Sequence, residues 1–229
     1  MTYTERVCRV QEILDYTFSD ITLAKAALTH PSAVEGQPVS ASYERLEFLG
    51  DSILGAIIAC DMFEQFPDMD EGALTRMKTS LVSGQTLSQV ADELGIAPLI
   101  VFGESERGTG TRGMHSALEN VYEALVGAMY LDGGYDPTAA FIRRTLAEYM
   151  VPQRATHPIS PKSELQEFSQ RIYHEMPVYE LEEESGPAHL PHFTTAVYVN
   201  GELVGRGSGT SKKESQTQAA QAALDKLEK

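Results

Sequence analysis

Glu44, Glu47 and Asp51 stand three and four residues apart in the stretch ERLEFLGD, at the head of a run that continues SILGAIIACDMF. On an α-helix, residues three and four apart share a face, so the carboxylates make one acidic stripe. Leu46, Phe48, Leu49, Ile53, Leu54, Ile57 and Ile58 spread over much of the remaining surface. Like charges four apart disfavour a helix by about 0.2–0.5 kcal/mol a pair. Gly50 inside it costs about another 0.5–1 kcal/mol relative to alanine. A segment selected only for helicity avoids both. The stripe reads either as the solvated face of an amphipathic helix or, given such apolar flanks, as a site neutralised by a divalent cation or an arginine cluster.

The segment ALENVYEALVGAMY repeats the pattern, with Asn120 and Glu123 one helical turn apart and Glu119 within a turn of Glu123. Two such helices side by side would converge Glu47, Asp51, Asn120 and Glu123 on one point. Magnesium takes carboxylate, amide and water oxygens in octahedral geometry. A metal held this way activates water and offsets charge developing on a phosphate, which is the chemistry of phosphodiester hydrolysis. Spacing alone does not separate this from an ordinary charged helix face.

The elements that must position these residues fall into two groups. Residues 4–30 read as two helices broken near Ser19, followed by a Pro- and Ser-rich loop. A long helix then runs from the acidic stripe to about Phe66, and further helices cover 72–83, 84–95, 116–132 and the stretch from Pro137 to about Met150. GESERGTGTRG, residues 103–113, reads as a polar loop. The three prolines of VPQRATHPISP mark a linker at 151–160 between an all-helical domain over 1–150 and a second domain over 161–229. In that second domain KSELQEFSQRIYH reads as a helix and PVYELEEES as a strand. HFTTAVYVNGELVGRGSG reads as a hairpin about Asn200-Gly201, and SKKESQTQAAQAALDKLEK as a closing helix. The fold class is therefore an all-α domain followed by a small α-β-β-β-α domain.

No apolar run reaches the length of a membrane span, and the N-terminus lacks the apolar region of a signal peptide. Cys8 and Cys60 form no metal-type cluster and are expected to pack as small hydrophobes, in keeping with a cytoplasmic location. His189 and His192 have no cysteine or third ligand nearby to suggest zinc. The net charge is −15 with pI about 4.8. Taken alone that argues against nucleic acid, although a local basic face can survive in an acidic protein. Residues 1–156 hold 11 Lys and Arg against 22 Asp and Glu, and residues 157–229 hold 7 against 11.

At ERLEFLGDS the chain resembles ribonuclease III. ALTHPS, DEGALTRMKTSLVS and ENVYEALVGAMYLDGG follow in that family's order and spacing, and KSELQEF with SKKESQTQAAQAAL resembles a double-stranded-RNA-binding domain. The resemblance implies a homodimeric endonuclease that hydrolyses RNA duplexes with magnesium, or manganese, leaving staggered ends with 5′-phosphate and 3′-hydroxyl, in rRNA and mRNA processing. It implies a metal site of four acidic side chains. Glu47, Asp51 and Glu123 match three of them, Asp51 and Glu123 as catalytic residues, and Asn120 stands at the fourth position. Glu44 and Glu71 match supporting acidic positions. Phe48 matches a dimer contact, with ordinary intrachain core as its alternative. Ser163, Gln166, Glu167 and His189 match minor-groove contacts, although Leu190 and Pro191 make the His189 loop less polar than expected.

Ser211, Lys212 and Lys213 match a phosphate contact, and they also make one on general grounds. Cations at a helix N-terminus are unfavourable with its dipole, so the pair asks for an anion. Arg107 and Arg112 are further phosphate candidates, or simply part of a solvated loop. Both halves being acidic, RNA affinity is expected to be modest and sharply salt-dependent. Asn120 can ligate magnesium but brings no charge, so a higher magnesium requirement is expected. Three readings of it stay open: an active natural variant, an Asp→Asn change that traps a complex, or a binder that has lost cleavage. A non-cutting duplex-RNA regulator and a structural ribonucleoprotein component are the rival functions, and the intact Glu47, Asp51 and Glu123 set favours the enzyme.

Overall fold

A computed structural model describes residues 1–104, 111–152, 161–187 and 191–227. The chain divides into two compact units, residues 1–156 and 157–229.

The first unit is helical: α1 (Tyr3–Leu14), α2 (Ile21–Ala27), α3 (Glu44–Gln65), α4 (Glu71–Leu81), α5 (Gly84–Glu93), α6 (Thr111–Gly133) and α7 (Tyr135–Leu146). Four of these starts have a local cause in a capping side chain. Thr2 and Glu5 form a reciprocal capping box on α1, and Asp20, Asp70 and Ser83 accept backbone N–H groups at the heads of α2, α4 and α5. α6 is apolar around its circumference, and Val121, Tyr122, Leu125, Val126 and Met129 are all buried. Such a helix belongs at the centre of a bundle.

α3 lies along α6, and the two meet backbone to backbone. A Cβ at Gly50 would strike the Glu123 carbonyl, and one at Gly127 would strike the Leu46 carbonyl. The half-exposed Arg143 on α7 grips the buried Asp61 on α3 through two hydrogen bonds of 2.8 and 2.6 Å. Asp132 near the end of α6 accepts the Tyr16 hydroxyl at 2.6 Å and the backbone N–H groups of Ser19 and Asp20 at 2.8 Å each.

The second unit runs α8 (Pro161–Tyr173), β1 (Val178–Ser185), β2 (His192–Val199), β3 (Glu202–Gly209) and α9 (Lys212–Leu227). Its antiparallel sheet has the order β1-β2-β3. Asn200 and Gly201 turn the hairpin with φ of 50° and 76°, the pair of positive values a tight two-residue turn requires. α9 packs closely on β3 because Gly205 and Gly207 leave no side chain between the strand and the backbone of Ala219 and Ala223. Behind the sheet, Leu165, Val197, Val199, Ala220 and Leu224 form the core.

Several sequence expectations need correction. α6 begins at Thr111, five residues before the expected start at Ser116, so the last three residues of GESERGTGTRG are helical. Both cysteines are exposed rather than packed. On α1 the buried phase is Val7, Val10 and Leu14, and Cys8 falls one step outside it. β1 does not alternate: only Tyr179 is partly buried along its eight residues. Phe48 is 79% exposed and no part of the intrachain core. Among the described residues no helix is long and apolar enough to cross a membrane.

Candidate functional site

The Gly50–Gly127 contact is what brings the acids together. Glu47 and Asp51 flank Gly50 on α3, and Glu123 sits one turn before Gly127 on α6, so the crossing brings the carboxylates near enough for their charges to act on one another. Glu123 is buried, Glu47 half-buried and Asp51 exposed, so the carboxylates grade from the protein interior to solvent. Burial pushes the Glu123 carboxyl up to about 8, with Asp51, Glu119 and Glu47 adding to the shift. Glu47 is raised as well, first by burial and then by Glu44, Glu119 and Asp51. The charges acting on Glu123 are thus all negative. Hard oxygen donors under mutual repulsion are what a divalent cation relieves.

Asn120 is half-buried at the edge of this group, and its amide nitrogen donates to the Tyr43 hydroxyl at 3.3 Å. The sequence does not single out Tyr43, and it marks Glu119 only as lying within a turn of Glu123. The signal for Tyr43 was available, since residues 43, 47 and 51 fall on one helical stripe. Glu119 lies about 100° around α6 from Asn120, yet its charge acts on both Glu47 and Glu123. Its carboxylate occupies the space that a side chain at Gly84, the first residue of α5, would need. A helix N-terminus favours an anion there.

The remaining acids lie farther out. Glu44 is exposed, accepts the Ser42 hydroxyl at 3.3 Å and adds to the field on Glu47. Glu71 opens α4 and accepts the Thr75 hydroxyl at 2.9 Å. It lines a hollow with Phe63, Met69 and Leu74 toward the far end of α3, and it is absent from the charges acting on Glu47 and Glu123. Phe48 stands on the rim of a cavity of about 970 Å³ lined by Leu23, Ala26, Val39, Leu46 and Leu131.

In the second unit Ser211 caps α9 by accepting the Glu214 N–H at 3.1 Å, while Glu214 reaches back to the Thr210 N–H at 2.8 Å. This box fixes the turn that carries Lys212 and Lys213, both exposed. Lys212 lies 3.2 Å from Glu184 on β1 and 5.6 Å over the Phe193 ring. Ser163, Gln166 and Glu167 share one face of α8, Ser163 half-buried and the other two exposed. His189, Leu190, Arg107 and the side chain of Arg112 lie outside the described residues.

The folded protein holds the Glu123 proton more tightly than the unfolded chain does. This group therefore favours folding below its ordinary value of 4.5, and that contribution is lost as pH rises through about 8. In metal-free buffer the helical unit should melt at a lower temperature at pH 8.5 than at pH 6. Glu123→Gln should melt higher than the parent at pH 8.5 and lose less between the two pH values. Equal losses in parent and variant would show that Glu123 does not carry the effect.

Residues 20–150 match the ribonuclease-III-like family and residues 161–227 match the double-stranded RNA binding motif. Among curated proteins, ribonuclease 3 of Wolbachia pipientis from Culex pipiens is 40% identical over 224 residues, covering 96% of each chain. Ribonuclease 3 of Symbiobacterium thermophilum is 41% identical, covering 93% of this chain and 91% of the relative. The solved nuclease domain of ribonuclease III from Campylobacter jejuni superposes with a TM-score of 0.57 at 28% identity, covering 62% of this chain and 96% of that one. The helical unit with its converging acids, and the α-β-β-β-α unit with its capped lysines, thus match the two parts of these relatives in order, and the chain belongs to the ribonuclease III family of double-stranded-RNA endoribonucleases.

Proposed function

We propose that this chain cuts both strands of RNA duplexes as a homodimer, with Glu47, Asp51, Asn120 and Glu123 holding magnesium or, in its place, manganese. The observation that carries the reading is the buried Glu123 carboxyl, ringed by negative charge where α3 and α6 touch. When bound, a hard divalent cation lowers the pKa of water and offsets the charge growing on the phosphate. The chain's own part is to supply oxygens at graded depth. Glu123 must release its proton before it can ligate, and the exposed Asp51 is placed to meet substrate and solvent.

Among the described residues, no three His, Cys, Asp or Glu side chains are gathered tightly enough to cage an ion alone. Magnesium does not need such a cage, because it keeps several waters and completes its shell with substrate phosphate. The products would be staggered ends with 5′-phosphate and 3′-hydroxyl, and the setting rRNA and mRNA processing in the cytoplasm. The neutral Asn120 favours a second reading, a chain that binds duplexes and does not cut. Cleavage of a labelled perfect duplex across a magnesium titration, with Asn120→Asp alongside, separates the two. The parent should cut at millimolar magnesium, with Asn120→Asp needing less. Cutting by the variant alone would make the parent the silenced form.

The dimer reading is supported by α3 itself. Phe48, Ser52, Ala56, Ala59 and Phe63 form an exposed, uncharged stripe along the helix, and Phe48 stands beside an apolar cavity wide enough for a ring. Contiguous exposed apolar surface of this kind marks an interface. Burying a phenylalanine contributes about 1.5–3 kcal/mol, and a two-fold dimer buries two. Phe48→Ala should therefore weaken the dimer about 100-fold or more in analytical ultracentrifugation. A variant that stays dimeric at nanomolar concentration would remove Phe48 from the contact.

On the RNA side, Ser211, Lys212 and Lys213 would hold phosphate at the start of α9, and Ser163, Gln166 and Glu167 would face the minor groove. Glu184 competes with phosphate for Lys212. Lys212→Ala should weaken duplex binding and flatten the salt slope by about one unit. Glu184→Gln should tighten binding at low salt. Filter binding without salt dependence would exclude this phosphate contact.

A further inference from the structure

Among four oxygen-bearing side chains at the α3–α6 crossing, Asn120 alone is neutral and alone has two chemically different ends. An aspartate presents an oxygen whichever way it turns. An asparagine presents an oxygen on one side and an NH2 group on the other, and only the oxygen can ligate a hard cation. Its orientation therefore decides whether the site has a fourth donor or a group that repels the ion.

In the structure the amide nitrogen is the end turned toward Tyr43. The Tyr43 hydroxyl lies 3.3 Å from the Asn120 amide nitrogen, across 77 residues of sequence. The phenol is 4% exposed and is held from several sides. Its own N–H donates to the Thr29 carbonyl at 3.0 Å, and its carbonyl accepts the Glu47 N–H at 2.8 Å. The His30 ring packs edge-on against it at 5.6 Å, and His30 packs in turn on Phe102 at 5.0 Å. The loop that carries Thr29 and His30 is pinned to the strand-like segment at Val101, whose N–H donates to the Leu28 carbonyl at 2.8 Å. The ring has no room to swing, so the hydroxyl is a fixed point.

We propose that Tyr43 is a positioning residue for Asn120: it takes the amide nitrogen and leaves the carbonyl oxygen as the end free for the metal. The ALTHPS loop, through Thr29 and His30, thereby acts on the site by way of one phenol. This rests on the metal reading above. It adds that the neutral fourth position works only because a neighbour breaks the symmetry of its amide.

The test is manganese binding to the RNA-free full-length protein, followed by the electron paramagnetic resonance signal of free Mn²⁺. Four proteins are compared: the parent, Tyr43→Phe, Asn120→Asp, and the double variant. Phenylalanine keeps the ring packing against His30, and melting curves with duplex-binding assays confirm that each variant is folded. Tyr43→Phe should weaken manganese binding about three- to tenfold in the parent, the scale of one neutral hydrogen bond. In the Asn120→Asp background the same change should leave affinity unchanged or slightly tighter, because a carboxylate needs no orienting and loses a competing donor.

Equal weakening in both backgrounds would assign Tyr43 a general structural role and overturn the proposal. Unchanged or tighter binding after Tyr43→Phe in the parent would show that the phenol does not turn the amide oxygen to the metal, and would overturn it too. Manganese binding to neither the parent nor Asn120→Asp would instead bring down the metal reading itself, and the proposal with it.

Discussion

The contact between two glycines governs this protein. α3 and α6 approach until the backbone at Gly50 lies against the Glu123 carbonyl and that at Gly127 against the Leu46 carbonyl. A wider crossing would hold Glu47 and Asp51 away from Glu123. The Glu123 carboxyl at the crossing is pushed up to about 8, first by burial and then by repulsion from Asp51, Glu119 and Glu47. The apolar packing of α6 and the clamp of Arg143 on Asp61 hold the helices together against that repulsion. Stability is given up locally to bring these carboxylates together, a common trade where chemistry is done.

The RNA-binding unit meets the same problem with the opposite sign. A chain with net charge −15 must hold a polyanion. In the proposed reading it does so with a few fixed groups, since duplex RNA is read by shape and by phosphate and 2′-hydroxyl contacts. The capping box of Ser211 and Glu214 orients the turn, the close approach of α9 to Gly205 and Gly207 fixes the helix on its sheet, and two lysines project from the result. The acids of β1 sit beside them, and one already engages Lys212.

Much of this was legible in the sequence. Three- and four-residue spacings located α3 and α6 and their acids, and Asn200-Gly201 located the hairpin. What periodicity could not distinguish was an apolar residue buried in its own chain from one saved for another surface. Phe48 and Cys60 are the cases in point, both exposed on the helix that the pattern reads as core. The 100° separation of Glu119 from Asn120 was correct as helical geometry, but a third helix, α5, brings that charge into play, and helix-wheel reasoning considers one helix at a time. Tyr43 was missed because the acids of its stripe drew attention away from the aromatic that begins it. The early start of α6 was hidden by a segment of Thr, Arg and Gly with no apolar phase to read.

Gly84 and Glu119 have a consequence of another kind. The carboxylate fills the space left by the absent side chain, so the two positions are sterically coupled. A larger residue at 84 would evict the glutamate, and losing the glutamate would leave a gap at the head of α5. Two residues 35 positions apart in the chain thus act as one steric pair, joining the head of α5 to the helix that carries the buried Glu123.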